Sequence, residues 1–175
     1  MGSPMRGQFG DKLRYLRLQR SMTQTELARH LALSSHAHVN NLEANRKAPS
    51  LNLVLRVANL FNVTTDFLLR DTIPAESPAE YRGLSSGELP SSLRLFGLKL
   101  RHLRRQRGLT QIELSAQLAL RTQAHISLLE SGNSEPSAEF VLQLADFFGV
   151  TTDHLLRDDI PIEDSGAAQR SSSDG

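Results

Sequence analysis

Apolar residues along this chain recur at the spacing of short amphipathic helices. Phe9, Leu13 and Leu16 lie four and three residues apart, which places them on one face of a helix. Helical spacing recurs at Leu27 and Leu31, at Val39 and Leu42, at Val54, Val57, Ala58 and Phe61, and at Leu68 and Leu69. The pattern predicts five short helices between residues 9 and 74.

Capping residues mark where these helices begin and end. Thr23 followed by Glu26 is a capping box and predicts the start of the second helix. The third is predicted to begin near Ser34-Ser35 and to stop near Asn45, a residue type that tolerates a left-handed backbone. Pro49-Ser50 then caps the fourth helix, and Thr65-Asp66 opens the fifth.

The whole pattern occurs twice. Residues 9–74 align without a gap to residues 96–161 at a shift of 87, and roughly half of the positions are identical. We call 9–74 module 1 and 96–161 module 2. Only two copies of so long a unit indicate tandem domains rather than a solenoid, which needs three or more stacked repeats. The sequence therefore predicts an all-α protein with two five-helix domains.

The segments outside the modules have a different composition. Residues 75–95 are rich in Ser, Pro, Gly and Glu, and we expect a flexible linker that spans on the order of 25 Å. Residues 1–8 are interpreted as a tag and disordered N-terminus, and residues 162–175 as a disordered tail.

Composition excludes several classes of site. The sequence contains no cysteine, so it offers no thiol nucleophile, thiolate metal ligand or disulfide. No apolar run is long enough to cross a membrane. No glycine-rich phosphate loop or hydrolase motif occurs either, so we expect no enzyme activity and no cofactor. A prokaryotic cytoplasmic location at the nucleoid is expected.

One ordered set of motifs resembles a known family. In each module a basic amphipathic helix precedes T-Q-x-E-L, a turn, a short helix ending in Leu-Glu, and then Pro-Ser before another helix. This order is similar to that of the Xre/Cro-like helix-turn-helix family, and it covers about 132 of the 175 residues. The resemblance implies a sequence-specific regulator of transcription, more often a repressor, whose third helix reads the major groove.

The resemblance also implies which residues contact double-stranded DNA. The residues expected to read bases are Ser35, His36, Ala37, Asn40 and Asn41 in module 1, and Thr122, Gln123 and Ser127 in module 2. Those expected to contact phosphates are Arg14, Arg17, Gln24, Arg46 and Lys47, and Arg101, Arg104, Gln111 and Arg121. For Gln24 and Gln111, a second interpretation is that they brace the third helix.

The two modules differ in charge. Module 1 has nine basic and five acidic residues, a formal charge of +4, whereas module 2 has seven and eight, a charge of −1. Arg46-Lys47 corresponds to Asn133-Ser134, with Glu135 following. Because phosphate neutralisation supplies most nonspecific affinity, module 1 is predicted to dominate DNA binding.

Other interpretations stay open. A homodimer, or a protein partner bound through module 2, would make the chain an assembly adaptor for which DNA is secondary. His36 and His38 point about 200° apart on a helix, so a metal site is not expected. Glu43 and Glu130 are predicted to pair with arginines of their own modules rather than to act as acids. Ala32 and Ala119 occupy the turn where the family has glycine, and the following segment is one residue longer than usual.

Overall fold

The computed structural model describes residues 8–82, 93 and 95–162, and these include ten α-helices. The helices of module 1 are α1 (Phe9–Gln19), α2 (Gln24–His30), α3 (His36–Glu43), α4 (Leu51–Phe61) and α5 (Thr65–Leu69). Those of module 2 are α6 (Phe96–Gln106), α7 (Gln111–Gln117), α8 (Ala124–Glu130), α9 (Ala138–Phe148) and α10 (Thr152–Leu156). The predicted tag and tail lie outside the described residues except at Gln8 and Ile162.

The predicted capping residues begin the helices. Thr23 Oγ1 accepts from the Glu26 N–H at 3.2 Å, and the Glu26 carboxylate accepts from the Thr23 N–H at 2.7 Å, which is the expected capping box. Ser50 and Thr64 cap α4 and α5 through their hydroxyl groups. Each of these caps recurs in module 2 at the residue 87 positions later.

Tight packing of α1 on α3 fixes the third helix of module 1. A Cβ at Gly10 would lie 2.3 Å from the Leu42 carbonyl oxygen, a separation that no side chain can adopt. Gly97 makes the same approach to Leu129 at 2.5 Å. Only glycine therefore allows the first and third helices to lie this close.

The first helix of each module carries one buried lysine. Lys12 is fully buried, and its Nζ donates to the carbonyl oxygens of Phe67 at 2.6 Å and Arg70 at 2.5 Å, at the end of α5. Burial lowers the pKa of Lys12 to about 8. Lys99 binds the carbonyls of His154 and Arg157 in module 2. These lysines fix the fifth helix to the first by satisfying its terminal carbonyls.

The first part of the predicted flexible linker is folded onto module 1, so that part of the prediction is wrong. Pro78–Tyr81 forms a 3-10 helix, and the Tyr81 ring lies 6.0 Å from the Phe67 ring. The Thr64 N–H donates to the Tyr81 carbonyl at 2.8 Å. The contact between the Tyr81 and Phe67 rings explains why this stretch packs on module 1 despite its Pro and Ser content. Residues 83–92 and 94 of the linker lie outside the described residues.

The two modules contact each other through α5 and α10, a contact that the prediction of two tandem domains did not include. Thr65 N–H donates to Asp153 at 2.8 Å, and Thr152 N–H donates to Asp66 at the same distance. The Thr65 and Thr152 hydroxyls, both buried, lie 2.7 Å apart and form a hydrogen bond. Each helix therefore has one of its first N–H groups satisfied by an aspartate of the other module.

Residues flanking these helices repeat the reciprocal pattern. Arg70 donates to Asp146 at 2.7 Å, and Arg157, 87 positions later, donates to Asn59 at 3.2 Å, where Asn59 corresponds to Asp146. Each arginine therefore binds the same position of the opposite module, which is the arrangement found at the interface of a two-fold symmetric dimer. The chain folds as a dimer-like pair of modules within one polypeptide.

No helix within the described ranges is both long and apolar enough to span a bilayer.

Candidate nucleic-acid interface

The third helix of each module presents one face to solvent. Val39, Leu42 and Glu43 are buried, and at 100° per residue the opposite side of α3 carries Ala37, Asn40 and Asn41. Ala37 and Asn40 are exposed and Asn41 is half-buried. The corresponding face of α8 carries Ala124, Ser127 and Leu128, all of them exposed.

The other predicted base-reading residues lie at the start of these helices. Ser35 precedes α3 and His36 is its first residue, and both are exposed. Thr122 and Gln123 are exposed directly before α8. In each module the predicted residues are therefore brought together on one solvent-facing surface.

A buried ion pair holds α3 against the two preceding helices. Arg17 donates to both Glu43 carboxylate oxygens, at 2.6 and 3.0 Å, and its remaining nitrogen donates to the Met22 carbonyl at 2.8 Å. Gln24 Nε2 adds a bond to Glu43 at 3.0 Å. Glu43 pairs with an arginine of its own module, as predicted, and its bonds to Arg17 and Gln24 hold α3 in position.

Module 2 repeats this network with nearly the same distances. Arg104 donates to Glu130 at 2.6 and 2.9 Å, and Gln111 Nε2 donates to Glu130 at 3.0 Å. Burial acts to raise the pKa of Glu130, but the hydrogen bonds from Arg104 and Gln111 outweigh it, so that pKa lies below its usual value. The carboxylate therefore stays ionised in its pair.

The structure contradicts the prediction that Arg17 and Arg104 contact phosphates. Both side chains are largely buried, and the guanidinium groups are occupied by Glu43 and Glu130. The hydrogen bonds that Arg17 donates to Glu43 raise the pKa of Arg17. For Gln24 and Gln111 the bracing interpretation matches the observed contacts, and any phosphate contact by them stays a prediction. Arg14, Arg46, Lys47, Arg101 and Arg121 are exposed.

The loops that follow α3 and α8 face each other across the contact between modules. Residues 47–51 and 135–139 line one cavity of about 440 Å³, together with Leu68 and Leu69 of α5. The loops that follow the two third helices are therefore close to each other. Exposed Lys47 of module 1 and exposed Glu135 of module 2 both line this cavity, and the exposed Arg46 precedes Lys47 in the chain.

The turn before the third helix contains a strained alanine in each module. Ala32 has a φ of +47° and Ala119 a φ of +53°, in the left-handed region where a Cβ costs about 1–2 kcal/mol. The helix-turn-helix family that the sequence resembles has glycine at this turn. Left-handed backbone at both positions explains that preference.

Replacing Ala32 with glycine is expected to stabilise the protein. Strain is relieved in the folded state, and the extra freedom of glycine in the unfolded chain offsets part of the gain, which leaves about 0.5–1 kcal/mol. Urea unfolding of Ala32→Gly measures it, and Ala119→Gly is the matched variant in module 2. Ala37, an exposed residue of α3, supplies the control, because Ala37→Gly should destabilise the protein by a similar amount.

Two family comparisons match this architecture. The Helix-turn-helix family matches residues 13–68, and the family described as Helix-turn-helix domain matches residues 95–158. The fold and the exposed third helices define a helix-turn-helix DNA-binding protein. The chain belongs to the Xre/Cro-like helix-turn-helix family and carries two copies of the domain in tandem. No curated protein and no solved structure matched the chain.

Sequence reasoning missed the residues that join the modules. Asp66 and Asp153 were read only as part of the start of a short helix, yet they provide the reciprocal contacts. A signal was present, because the run Val-Thr-Thr-Asp is identical in both modules at 63–66 and 150–153. A symmetric contact between two copies uses the same residues on both sides. An identical run in both modules is therefore a signal of such a contact.

Proposed function

We propose that this DNA-binding regulator docks as a rigid pair of modules, with α3 and α8 each entering a major groove. The observation that carries the proposal is the reciprocal contact between α5 and α10, which fixes two braced and outward-facing third helices relative to each other. Such pairs bind half-sites about 34 Å, or one helical turn, apart on one side of the duplex. A single chain would then cover a site for which single-module proteins need two subunits.

Repression by occupancy is the mechanism that fits this architecture. The described residues form the two modules and the segment folded onto module 1. A regulator of this kind acts by excluding polymerase from the DNA that it covers. Binding is therefore proposed to reduce transcription from promoters that overlap the site.

Module 1 is proposed as the stronger contributor to affinity. It carries a charge of +4 against −1 for module 2, and Arg14, Arg46 and Lys47 are exposed where they can neutralise phosphates. Asn40 and Asn41 have amide groups of the kind that pairs bidentately with adenine N6 and N7. Module 2 has Asn133 and Ser134 at the positions of Arg46 and Lys47.

A second candidate function is protein assembly through module 2. Leu98 and Ile112 are 51% and 63% exposed, and they correspond to Asp11 and Thr25 of module 1. Exposed apolar side chains in place of polar ones favour contact with another protein. Salt distinguishes the two functions, because phosphate-driven binding weakens by roughly 10³–10⁵ between 50 and 200 mM salt and an apolar contact does not.

Substitutions separate base reading from phosphate contact in module 1. We expect Asn40→Ala and Asn41→Ala to change which base is preferred at one position, at a cost of about 1–3 kcal/mol, because a bidentate pair is lost. Arg46→Ala should weaken binding to all sequences alike. It should also reduce the slope of log affinity against log salt concentration by about one.

The measurement uses duplexes selected by the full chain from a random pool, with affinities determined at several salt concentrations. Asn133→Ala, at the position equivalent to Arg46, is the matched control and should leave the salt dependence unchanged. If Asn40→Ala and Arg46→Ala act identically on every sequence, α3 does not read bases.

A further inference from the structure

The parts of the two modules that hold the third helix in place are the same. The brace residues Arg17, Gln24 and Glu43 recur as Arg104, Gln111 and Glu130, with hydrogen bonds that agree within 0.1 Å. The contact residues Thr65, Asp66 and Arg70 recur as Thr152, Asp153 and Arg157. Both third helices are therefore presented in the same way.

The exposed residues of the two third helices differ between the modules. Ser35, His36, Asn40 and the half-buried Asn41 of module 1 correspond to Thr122, Gln123, Ser127 and Leu128 of module 2, whereas Ala37 and the half-buried His38 have identical counterparts, Ala124 and His125. The buried residues between them are Val39 and Leu42 in one helix and Ile126 and Leu129 in the other. Four of the five residues proposed to read bases in module 1 therefore differ in module 2, although the residues that hold the two third helices in place are the same.

The change at the end of the reading face alters its chemistry. Asn40 and Asn41 offer two amides, which match the donor and acceptor of adenine in the major groove. Ser127 and Leu128 offer one hydroxyl and one apolar side chain, and Leu128 is 46% exposed on α8. An apolar side chain aimed into the major groove contacts the thymine methyl group, and it leaves a polar base edge without a partner.

We infer that the two modules read different half-sites, so that the operator is asymmetric and the protein binds it in one orientation. The half-site of module 1 is read through amides at adenine, and that of module 2 through the Leu128 contact with a thymine methyl. This inference rests on the proposed function and extends it, because a symmetric pair of contacts would by itself favour a palindrome. The fixed contact between α5 and α10 makes the order of the half-sites part of recognition.

The test compares three duplexes bound by the full chain. Selection from a random pool defines half-site A, bound by module 1, and half-site B, bound by module 2. The composite duplex A–B and the palindromes A–A and B–B are then made at equal spacing. A mismatched base pair typically costs tenfold or more, so we expect the composite to bind at least tenfold more tightly than either palindrome.

A variant reverses the preference. Thr122→Ser, Gln123→His, Ser127→Asn and Leu128→Asn together give module 2 the exposed residues of module 1. All four positions are exposed, so the fold should be retained, and this is checked by urea unfolding. The variant should prefer A–A over A–B by tenfold or more, and Leu128→Asn alone should relax the preference at one base pair of half-site B.

Two results would overturn the inference, and each differs from failure of the proposed function. A selected site that is palindromic, or equal affinity for A–A and A–B, would show that both modules read the same sequence while DNA binding stands. Retention of no duplex at 50 mM salt would instead remove the proposed function, and the asymmetric operator with it.

Discussion

Glu43→Ala is expected to lower the free energy of unfolding of module 1 by about 3–5 kcal/mol, because it leaves Arg17 buried without its partner. The Glu43 carboxylate is the acceptor for Arg17 and for Gln24, so both donors lose their bonds at once. The third helix then loses its polar connection to the first and second helices, and DNA affinity should fall with stability. Urea unfolding and duplex binding measure the two effects.

A double substitution separates stability from charge. Arg17→Met with Glu43→Leu replaces the buried pair by apolar groups of similar size, which is often neutral or stabilising. This variant should unfold close to the wild-type midpoint, whereas Glu43→Ala should not, and Glu130→Ala should repeat the loss in module 2. A Glu43→Ala protein with unchanged stability would mean that the observed pair does not position α3.

Asp66→Ala with Asp153→Ala is expected to uncouple the modules and to reduce affinity for the full operator by about 10², the order of gain that a second linked binding event provides. Each aspartate supplies the acceptor for an N–H of the opposite module, and loss of both removes the reciprocal pair. The modules remain covalently joined but no longer fixed in the spacing that two successive grooves require.

Operators with altered spacing measure this uncoupling. Insertion of five base pairs between half-sites turns them to opposite sides of the duplex, so the wild type should lose most of its affinity and the double variant much less. Asp11→Ala with Glu80→Ala removes two exposed acidic groups outside the contact and controls for the change in charge. Equal sensitivity to spacing in both proteins would show that the contact does not set the geometry of binding.

Much of the fold was predictable because its signals are local. The capping box at Thr23 and Glu26 and the apolar spacing of Leu13 and Leu16 depend on residues within a few positions of each other. The repeat doubled every such signal, and the five-helix pattern and the family were both confirmed. Exposure of Asn40 on α3 follows from the same periodicity.

The parts that sequence reasoning missed depend on distant partners. Lys12 is buried because carbonyl oxygens 55 and 58 residues away accept its Nζ hydrogens. No pattern in the sequence around Lys12 indicates these acceptors. Arg17 is occupied by a carboxylate 26 residues away, so a basic residue on a helix was mistaken for a DNA contact. Asp66 binds an N–H 86 positions along the chain. Helical spacing identifies a face but not what covers it.

Methylation interference on the selected operator tests the central claim most directly. Methyl groups at guanine N7 lie in the major groove and block a helix that reads base edges there. We predict two clusters of interfering positions, centred about ten base pairs apart on one side of the duplex, as two docked third helices require. A single cluster, or binding that no major-groove methyl group disturbs, would contradict the account.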